Sequence, residues 1–208
     1  MAVSFAMGIT PEQFKRMEER VGRPRRAASP VTNTPALKAV PKHQVVLGLD
    51  PSLRGTGYGI IRASKPFPET IAQGTIKCPA TWPRSRCLGL IAQTLRDVIR
   101  QHKPDVCVTE ALFFAQNLQT ALIMGEARGA ALAVIAEAGL DVYEMAPRKV
   151  KQAIVGYGAA RKDAVAKMVQ RMLHLTDQPD PDAADALALA LTQLQEGSRY
   201  SLSAPKRI

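Results

Sequence analysis

The sequence predicts one α/β domain, built on a mixed sheet of five strands flanked by helices. Continuous apolar runs at residues 45–49 and 105–109 are typical of strands that are buried on both faces. Strands come first along the chain and then alternate with helical segments, an order that indicates a single mixed sheet. The chain has 208 residues, enough for one such domain with a tail.

Each element is assigned from its apolar periodicity and from the turn residues that bound it. We assign strands to residues 45–49, 57–63, 70–77, 105–109 and 141–144. Helices are assigned to residues 84–101, 118–138, 148–155, 161–173 and 181–195. In the long second helix, Gly125 and Gly129 lie on one face, and we expect them to permit close packing.

The first 43 residues differ in composition from the rest of the chain. They carry eight Lys and Arg residues against three glutamates and are rich in proline, so we predict a mostly flexible basic extension. A short helix from Pro11 to Val21 is expected inside it, because Thr10 and Gln13 form a capping box around a proline. An arm that touches DNA, an organelle-targeting segment and a start codon assigned too far upstream, with Met7 as one candidate, remain open. The folded domain is assigned to residues 44–196, and residues 197–208 are predicted to be a flexible basic tail.

The charge of the chain favours a polyanionic partner. The formal net charge is +10 and the pI is about 9.9, which suits a nucleic acid or an anionic membrane surface. A membrane span is not expected, because the longest apolar stretch, residues 129–135, is far shorter than the roughly 20 residues that a bilayer requires. Three scattered cysteines form neither a disulfide framework nor a zinc motif, so a reducing compartment is expected.

Two acidic residues close predicted buried strands. Asp50 follows the first apolar run and precedes Pro51, so it lies at the carboxyl end of that strand, where open α/β sheets place their ligands. A plain Asp-Pro-Ser turn explains Asp50 equally well. Glu110 follows the strand at residues 105–109 and is flanked by apolar residues on both sides, which favours a site over mere solvation.

Two further acids come from the last predicted helix. Asp180 and Pro181 are typical of a helix start, and Asp182 suits the positive first turn. Asp185 lies beyond that turn in an Ala- and Leu-rich segment, where helix capping does not explain it. Because Asp182 and Asp185 share one helical face, we predict that both point at the body of the domain.

Four converging carboxylates suit a magnesium-dependent phosphoryl-transfer site. Mg²⁺ prefers oxygen ligands, and two ions about 3.5–4 Å apart can activate a water and stabilise a leaving oxygen. With a basic chain, this chemistry indicates a nuclease. In the hypothesis we adopt, Asp50 bridges both ions, Glu110 holds one, and Asp182 and Asp185 hold the other.

Four segments resemble RuvC-type Holliday junction resolvases in the expected order. They are VLGLDPSLRGTGYG from Val46, LIMGEARGAA from Leu122, PRKVKQAIVGYG from Pro147 and DAADALA from Asp182. Four motifs in register are far more specific than one. The resemblance covers roughly residues 44–195 and leaves residues 1–43 uncovered.

The resemblance implies an RNase H-like fold, a homodimer and two Mg²⁺ ions per active site, for which Mn²⁺ can substitute. It implies paired symmetric nicking of four-way DNA junctions in recombination and repair, in a bacterial cytoplasm close to the nucleoid and together with the RuvA–RuvB branch-migration complex. Asp50, Glu110, Asp182 and Asp185 match the family's four catalytic acids.

DNA contacts are assigned partly from the resemblance. It places Phe113 as an aromatic wedge at the junction centre, and an exposed aromatic can stack on an unpaired base. Basic residues around the loop at residues 156–158 are expected to contact phosphates, which position the DNA rather than specify its sequence. These residues are Arg148, Lys149, Lys151, Arg161 and Lys162. Gly55, Gly57 and Gly59 are interpreted as a twisted hairpin, as backbone room for a phosphate or metal, or as both.

Three positions depart from the family pattern, and other functions remain open. Ser52 replaces a usual glycine, Ala111 a polar or acidic residue, and Gln116 a common lysine. The last two put local DNA contacts in question, but not the acids.

The alternatives are a YqgF-like RNA-processing nuclease, a catalytically silent nucleic-acid binder of this fold and a fragment of an actin-like kinase. The helical segment from Asp182 to Asp185 and the signature from Arg148 to Gly158 argue against the first. The retention of all four acids argues against the second, and the lack of a second such domain argues against the third.

Overall fold

The structure is a computed structural model that describes residues 43–111, 117–196 and 205–208, together with Glu12 and Lys15. The chain divides into two compact units, residues 1–38 and 39–208. In the first unit Glu12 and Lys15 are helical, in keeping with the short helix predicted there. The rest of the predicted extension lies outside the described residues.

A six-stranded mixed sheet forms the centre of the second unit, in the order β3-β2-β1-β4-β5-β6. Its strands are β1 Val45–Asp50, β2 Gly55–Arg62, β3 Glu69–Lys77, β4 Val106–Glu110, β5 Asp141–Met145 and β6 Lys206–Arg207. The strand β1 pairs antiparallel with β2 and parallel with β4, and β5 is parallel to β4. The predicted fold class is confirmed. The sheet has one strand more than predicted, because the two-residue β6 pairs with the edge of β5 and is too short to leave a periodic signal.

Five helices cover the two faces of the sheet. They are α1 Arg84–His102, α2 Leu118–Glu137, α3 Pro147–Val155, α4 Lys162–Met172 and α5 Pro181–Glu196. One core lies between the sheet and α1 and α2, and the other lies between the sheet and α3, α4 and α5. Each helix lies within one or two residues of its predicted bounds.

The period of two along each strand decides which side chains meet which helices. In β1, Leu47 and Leu49 point into the core with α1 and α2, whereas Val46 points into the core with α5. Asp50 therefore points to the α5 side. In β4, Val106 and Val108 share the core with α5, so Glu110 also points to that side.

Glycines let α5 lie directly on the sheet. A Cβ atom on Gly48 would lie 1.9 Å from the carbonyl oxygen of Ala186, and one on Gly57 would lie 1.9 Å from that of Asp182. On Gly59 it would lie 2.6 Å from Leu187. The expectation that Gly57 and Gly59 leave room for a phosphate or metal is therefore wrong, because the backbone and a core side chain of α5 take up that room.

One face of α2 is not covered by the described chain. Ala127, Ala131 and Ile135 are buried in the core. Nothing lies within 4 Å of a Cβ placed on Gly125 or Gly129, so the expectation of close packing there is wrong within this part of the chain. Of the described helices, α2 is long and apolar enough to cross a membrane by length and composition, a test that core helices of soluble proteins also pass.

Candidate active site

Asp50 and Glu110 lie side by side at the carboxyl ends of neighbouring strands. Leu49 pairs with Thr109 in the parallel register of β1 and β4, so the next residue of each strand is one of the two acids. Both acids are partly buried, and strand alternation turns both toward α5. This juxtaposition is the one expected from their positions at the ends of apolar runs.

The helix α5 brings the other two acids over the same end of the sheet. Asp185 lines a cavity together with Asp50 and Glu110. Asp182 lies nearer β2, where its Oδ2 atom would be 2.6 Å from a Cβ on Gly55. The small residues in β1 and β2 thus set how closely the acids of α5 approach those of the strands.

The cavity at this point measures about 110 Å³ and is lined by both charged and apolar side chains. Two lysines, Lys151 and Lys162, line it together with the acids. The remaining lining residues are Pro147, Val150, Val165, Ala188 and Leu189. A larger cavity of about 530 Å³ lies at the other end of α5, lined by Phe67, His174 and Leu191 among others, but no acidic side chain lines it. Of these two cavities, the smaller one is therefore the one that the predicted acids line.

Crowding of the carboxylates changes their protonation. Burial, followed by the charges of Asp185 and Glu110, raises the pKa of Asp50 to about 7. Burial and the charge of Asp185 also raise the pKa of Glu110. The positive charge of Lys162 lowers both pKa values, but it does not cancel the effect of burial and of the neighbouring acids.

Lys162 forms an ion pair with one of the acids that line the cavity. Its Nζ atom lies 2.7 Å from Oδ2 of Asp185. The hydrogen bond to Asp185 raises the pKa of Lys162, so the lysine is charged at neutral pH. Lys162 is one of the five basic residues that were expected to contact phosphates.

The donor set fits a divalent cation that prefers oxygen ligands. Within the described residues, no three or more His, Cys, Asp or Glu side chains are arranged to hold a metal ion. The chemistry of the acids nevertheless suits one, because a buried carboxyl with a pKa near 7 among three other carboxylates is stabilised by added positive charge. Asp50, Glu110, Asp182 and Asp185 are the residues that would hold it.

The other predicted DNA-contacting residues are not all gathered at the acids. Lys149 pairs with Glu196 at the far end of α5, with 3.0 Å between Nζ and Oε2. Arg161 is exposed and lies beside Asp163, and Arg148 is exposed next to Gly158. Phe113 and Gln116 lie outside the described residues.

Two of the remaining sequence assignments can be located. Asp180, expected as a helix cap, forms an ion pair with Lys77, with 2.7 Å between Nζ and Oδ2. Ser52 donates its backbone N–H to Thr56, which donates its hydroxyl back to the carbonyl of Ser52. The serine side chain takes no part in these two hydrogen bonds, so this departure from the family pattern leaves the turn after β1 intact.

Sequence reasoning overlooked Arg128 as an individual residue. This side chain of α2 is 5 % exposed, and it reaches Glu110 from the other face of the sheet. The rule used for Asp185, a lone charge in a small and apolar helical segment, does not select Arg128, because Glu126 lies two residues before it.

Comparison with known proteins decides the family. Residues 46–193 match the family model described as crossover junction endodeoxyribonuclease RuvC. The chain belongs to the RuvC family. It is 43 % identical to the RuvC of Bordetella avium over 73 % of this chain and 84 % of that protein. It is 42 % identical to the RuvC of Burkholderia ambifaria over 74 % and 83 %.

Solved RuvC-like structures share the same architecture. Thermus thermophilus RuvC in complex with a Holliday junction substrate matches with a TM-score of 0.70 and 31 % identity, over 80 % of this chain and all of that one. The yeast mitochondrial Holliday junction resolvase matches with a TM-score of 0.56 over 74 % and 79 %, and at 13 % identity it supports the fold alone. The predicted RNase H-like fold is thereby confirmed.

Proposed function

We propose that this RuvC-family chain is a structure-selective DNA endonuclease that resolves four-way junctions by paired symmetric nicks, in recombination and DNA repair. The observation that carries the proposal is the convergence of Asp50, Glu110 and Asp185 on one cavity in a chain of this family. Relatives at 43 % identity carry the name crossover junction endodeoxyribonuclease.

The four acids are proposed to hold two Mg²⁺ ions, with Mn²⁺ as a substitute. Nucleases of this family are metal-dependent. Asp50 is proposed to bridge the two ions, because it is central in the sheet and faces the other three acids. When bound, such ions activate a water and stabilise the leaving oxygen of a phosphodiester.

The lysines of the cavity are proposed to hold the DNA backbone at the acids. Lys151 and Lys162 line the same small cavity, so a phosphate seated there lies between cations and acids. On binding, the Nζ atom of Lys162 exchanges its contact with Asp185 for one with the phosphate. Arg148, Lys149 and Arg161 are proposed to contact phosphates farther from the cut.

A homodimer is proposed, with α2 as the contact face. Leu118 and Leu122 are 75 % and 59 % exposed, and with the open Gly125 and Gly129 they form one stripe at helical spacing. A second copy is the natural occupant, because two symmetric nicks require two sites. RuvA–RuvB as partners and a place in the bacterial cytoplasm, near the nucleoid, complete the proposal.

A cleavage assay tests this function. A labelled four-way junction and its linear duplex are each incubated with the protein, with and without Mg²⁺. Paired cuts are expected in the junction alone and only with Mg²⁺. Cleavage of structured RNA in preference to the junction would instead favour the YqgF-like alternative.

The wedge role of Phe113 has its own test. Phe113→Ala is expected to bind junctions with unchanged affinity but to cut them poorly, because an unpaired base loses its stacking partner. Binding is measured by gel shift without metal, and cutting by single-turnover kinetics. Unchanged cutting would remove Phe113 from the mechanism.

A further inference from the structure

Arg128 is a buried cation on the face of the sheet opposite the acids. It lies on α2, 5 % exposed, between Ala127 and Gly129 in the segment that resembles the family. A buried guanidinium is costly unless its N–H groups find acceptors. The acceptors that Arg128 uses therefore indicate what this residue is for.

Its acceptors are the ends of two strands. One nitrogen, Nη1, donates to the backbone carbonyl of Glu110 at 2.8 Å and to the hydroxyl of Thr109 at 3.2 Å. The other, Nη2, pairs with Oε1 of Glu144 at 2.5 Å. Thr109 and Glu144 are register partners in β4 and β5, so one guanidinium joins the carboxyl ends of both strands.

Because side chains alternate along β4, Arg128 contacts the end of this strand from the face opposite the acid cavity. Thr109 points to α2, and Glu110, the next residue, points to the acid cavity. Arg128 thus binds the backbone carbonyl of Glu110 from the α2 face of the sheet. This contact leaves the Glu110 carboxylate free for a ligand on the other face. The rigid fork of the guanidinium restrains the last peptide of β4, and that peptide sets the direction in which the Glu110 side chain leaves the strand.

We propose that Arg128 is a positioning residue for Glu110, and that Glu144 in turn orients Arg128. The bridge keeps the Glu110 carboxylate directed at a divalent cation shared with Asp50. The inference rests on the proposed function in one respect, that Glu110 is a metal ligand. Groups that orient metal ligands in this way typically change metal affinity 10- to 100-fold when they are replaced.

Arg128→Lys tests the proposal with the charge retained. Lysine presents its donors from one nitrogen on a flexible stem instead of from the two nitrogens of a rigid fork, so the Glu110 peptide loses its restraint. The full-length variant is expected to bind Mn²⁺ about 10- to 100-fold more weakly by calorimetry, and to need correspondingly more metal for half-maximal junction cleavage. Metal-free junction binding should not change. Arg96→Lys is the matched control, since Arg96 pairs with Glu137 on the surface between α1 and α2.

The readout separates positioning from simple support of the fold. A purely structural arginine would lower the melting temperature without changing the Mn²⁺ dissociation constant, and a wild-type constant in Arg128→Lys would overturn the proposal. If that variant does not fold, Glu144→Gln decides, because it keeps a neutral acceptor while removing the charge that orients Arg128. A several-fold weaker Mn²⁺ affinity supports the proposal, and an unchanged one overturns it.

Failure of the proposed function would look different. In that case the wild-type protein would take up no Mn²⁺, or Asp50→Asn would bind it as well as the wild type. Either result would remove the metal site itself and the inference with it. Equal affinities of wild type and Arg128→Lys, with binding lost in Asp50→Asn, would overturn only the role of Arg128.

Discussion

Keeping the Asp50 carboxylate ionised in the folded state costs free energy, which the rest of the domain must offset. A carboxyl group that is partly buried among three other acids is protonated far more readily than one in water, and its pKa rises to about 7. Stability from such a group is fully present below its unfolded-state pKa and is lost as pH rises through the folded-state value. The metal-free protein should therefore lose stability as the pH rises from about 4 to about 7.

Asp50→Asn should remove this loss. We expect the metal-free variant to have a free energy of unfolding at pH 8 that is higher than wild type by on the order of 1–3 kcal/mol, with a flatter dependence on pH. Urea unfolding between about pH 4 and pH 8 measures both. Junction cleavage should be abolished while junction binding is kept. A wild-type pH dependence in the variant, or cleavage by it, would contradict the role of Asp50.

A lone charged residue in an apolar helical segment is a signal that identifies Asp185 but not Arg128. A single charged residue inside a small, apolar helical segment singled out Asp185, and the structure places it in the acid cavity. The same rule does not select Arg128, because Glu126 lies two residues before it in the same segment. Its acceptors were out of reach, because two of them belong to β4 and the third lies on β5.

At the scale of elements, the contact between α5 and the sheet determines the geometry of the site. Gly48 on β1 pairs with Gly59 on β2, and Asp50 pairs with Gly57, so the glycines lie beside the strand-end acid. The alternating glycines were visible in the sequence, but the helix that fills the space above them lies about 120 residues later. Periodicity finds a helix and its bounds, but not which strand it lies on.

Gly57→Ala should damage the site more than its small size suggests. The added methyl would meet the backbone carbonyl of Asp182, so α5 must lift, at a cost of about 1–3 kcal/mol in stability. Displacement of the acids by about 1 Å should lower single-turnover cleavage roughly 100-fold.

Gly89→Ala is the control for this change. Gly89 lies within α1, and nothing is within 4 Å of an added Cβ, so the substitution should stabilise by about 0.5–1 kcal/mol and leave cleavage unchanged. Thermal unfolding and cleavage kinetics are measured on both variants. Wild-type cleavage by Gly57→Ala would show that α5 does not depend on this close approach.

The exposed stripe of α2 makes a prediction at the same scale. Leu122→Glu places a charge in the middle of the proposed contact between copies, and the mass in solution should fall from a dimer to a monomer by sedimentation analysis. Phe67→Ser, at another exposed apolar side chain, should leave the mass unchanged. A dimer that survives Leu122→Glu would place the interface elsewhere.

Charge is spread over the whole molecule, and half of the net value of +10 lies in the first 43 residues. We propose that this segment is a basic arm outside the nuclease domain. Removing residues 1–42 should keep junction cleavage but weaken binding to linear duplex. The slope of log affinity against log salt should become less steep by up to about 7, if all eight basic side chains release counterions. An unchanged slope would argue that the arm does not touch DNA.

For the whole molecule, the buried strands were the elements that the sequence predicted most directly. The apolar runs of β1 and β4 and the acids that end them identify the fold class and half of the site. The short β6 and the choice of sheet face for each helix could not be predicted, since both depend on contacts between segments distant in the chain.

The distribution of the acids has a consequence for the chain while it is being synthesised. Asp50 and Glu110 leave the ribosome early, but Asp182 and Asp185 come on the last helix, which can seat only on strands that are already paired. A chain that stops before α5 therefore lacks Asp182 and Asp185, two of the four acids that we propose as metal ligands. Under the proposed function, a chain without α5 is expected not to cut DNA.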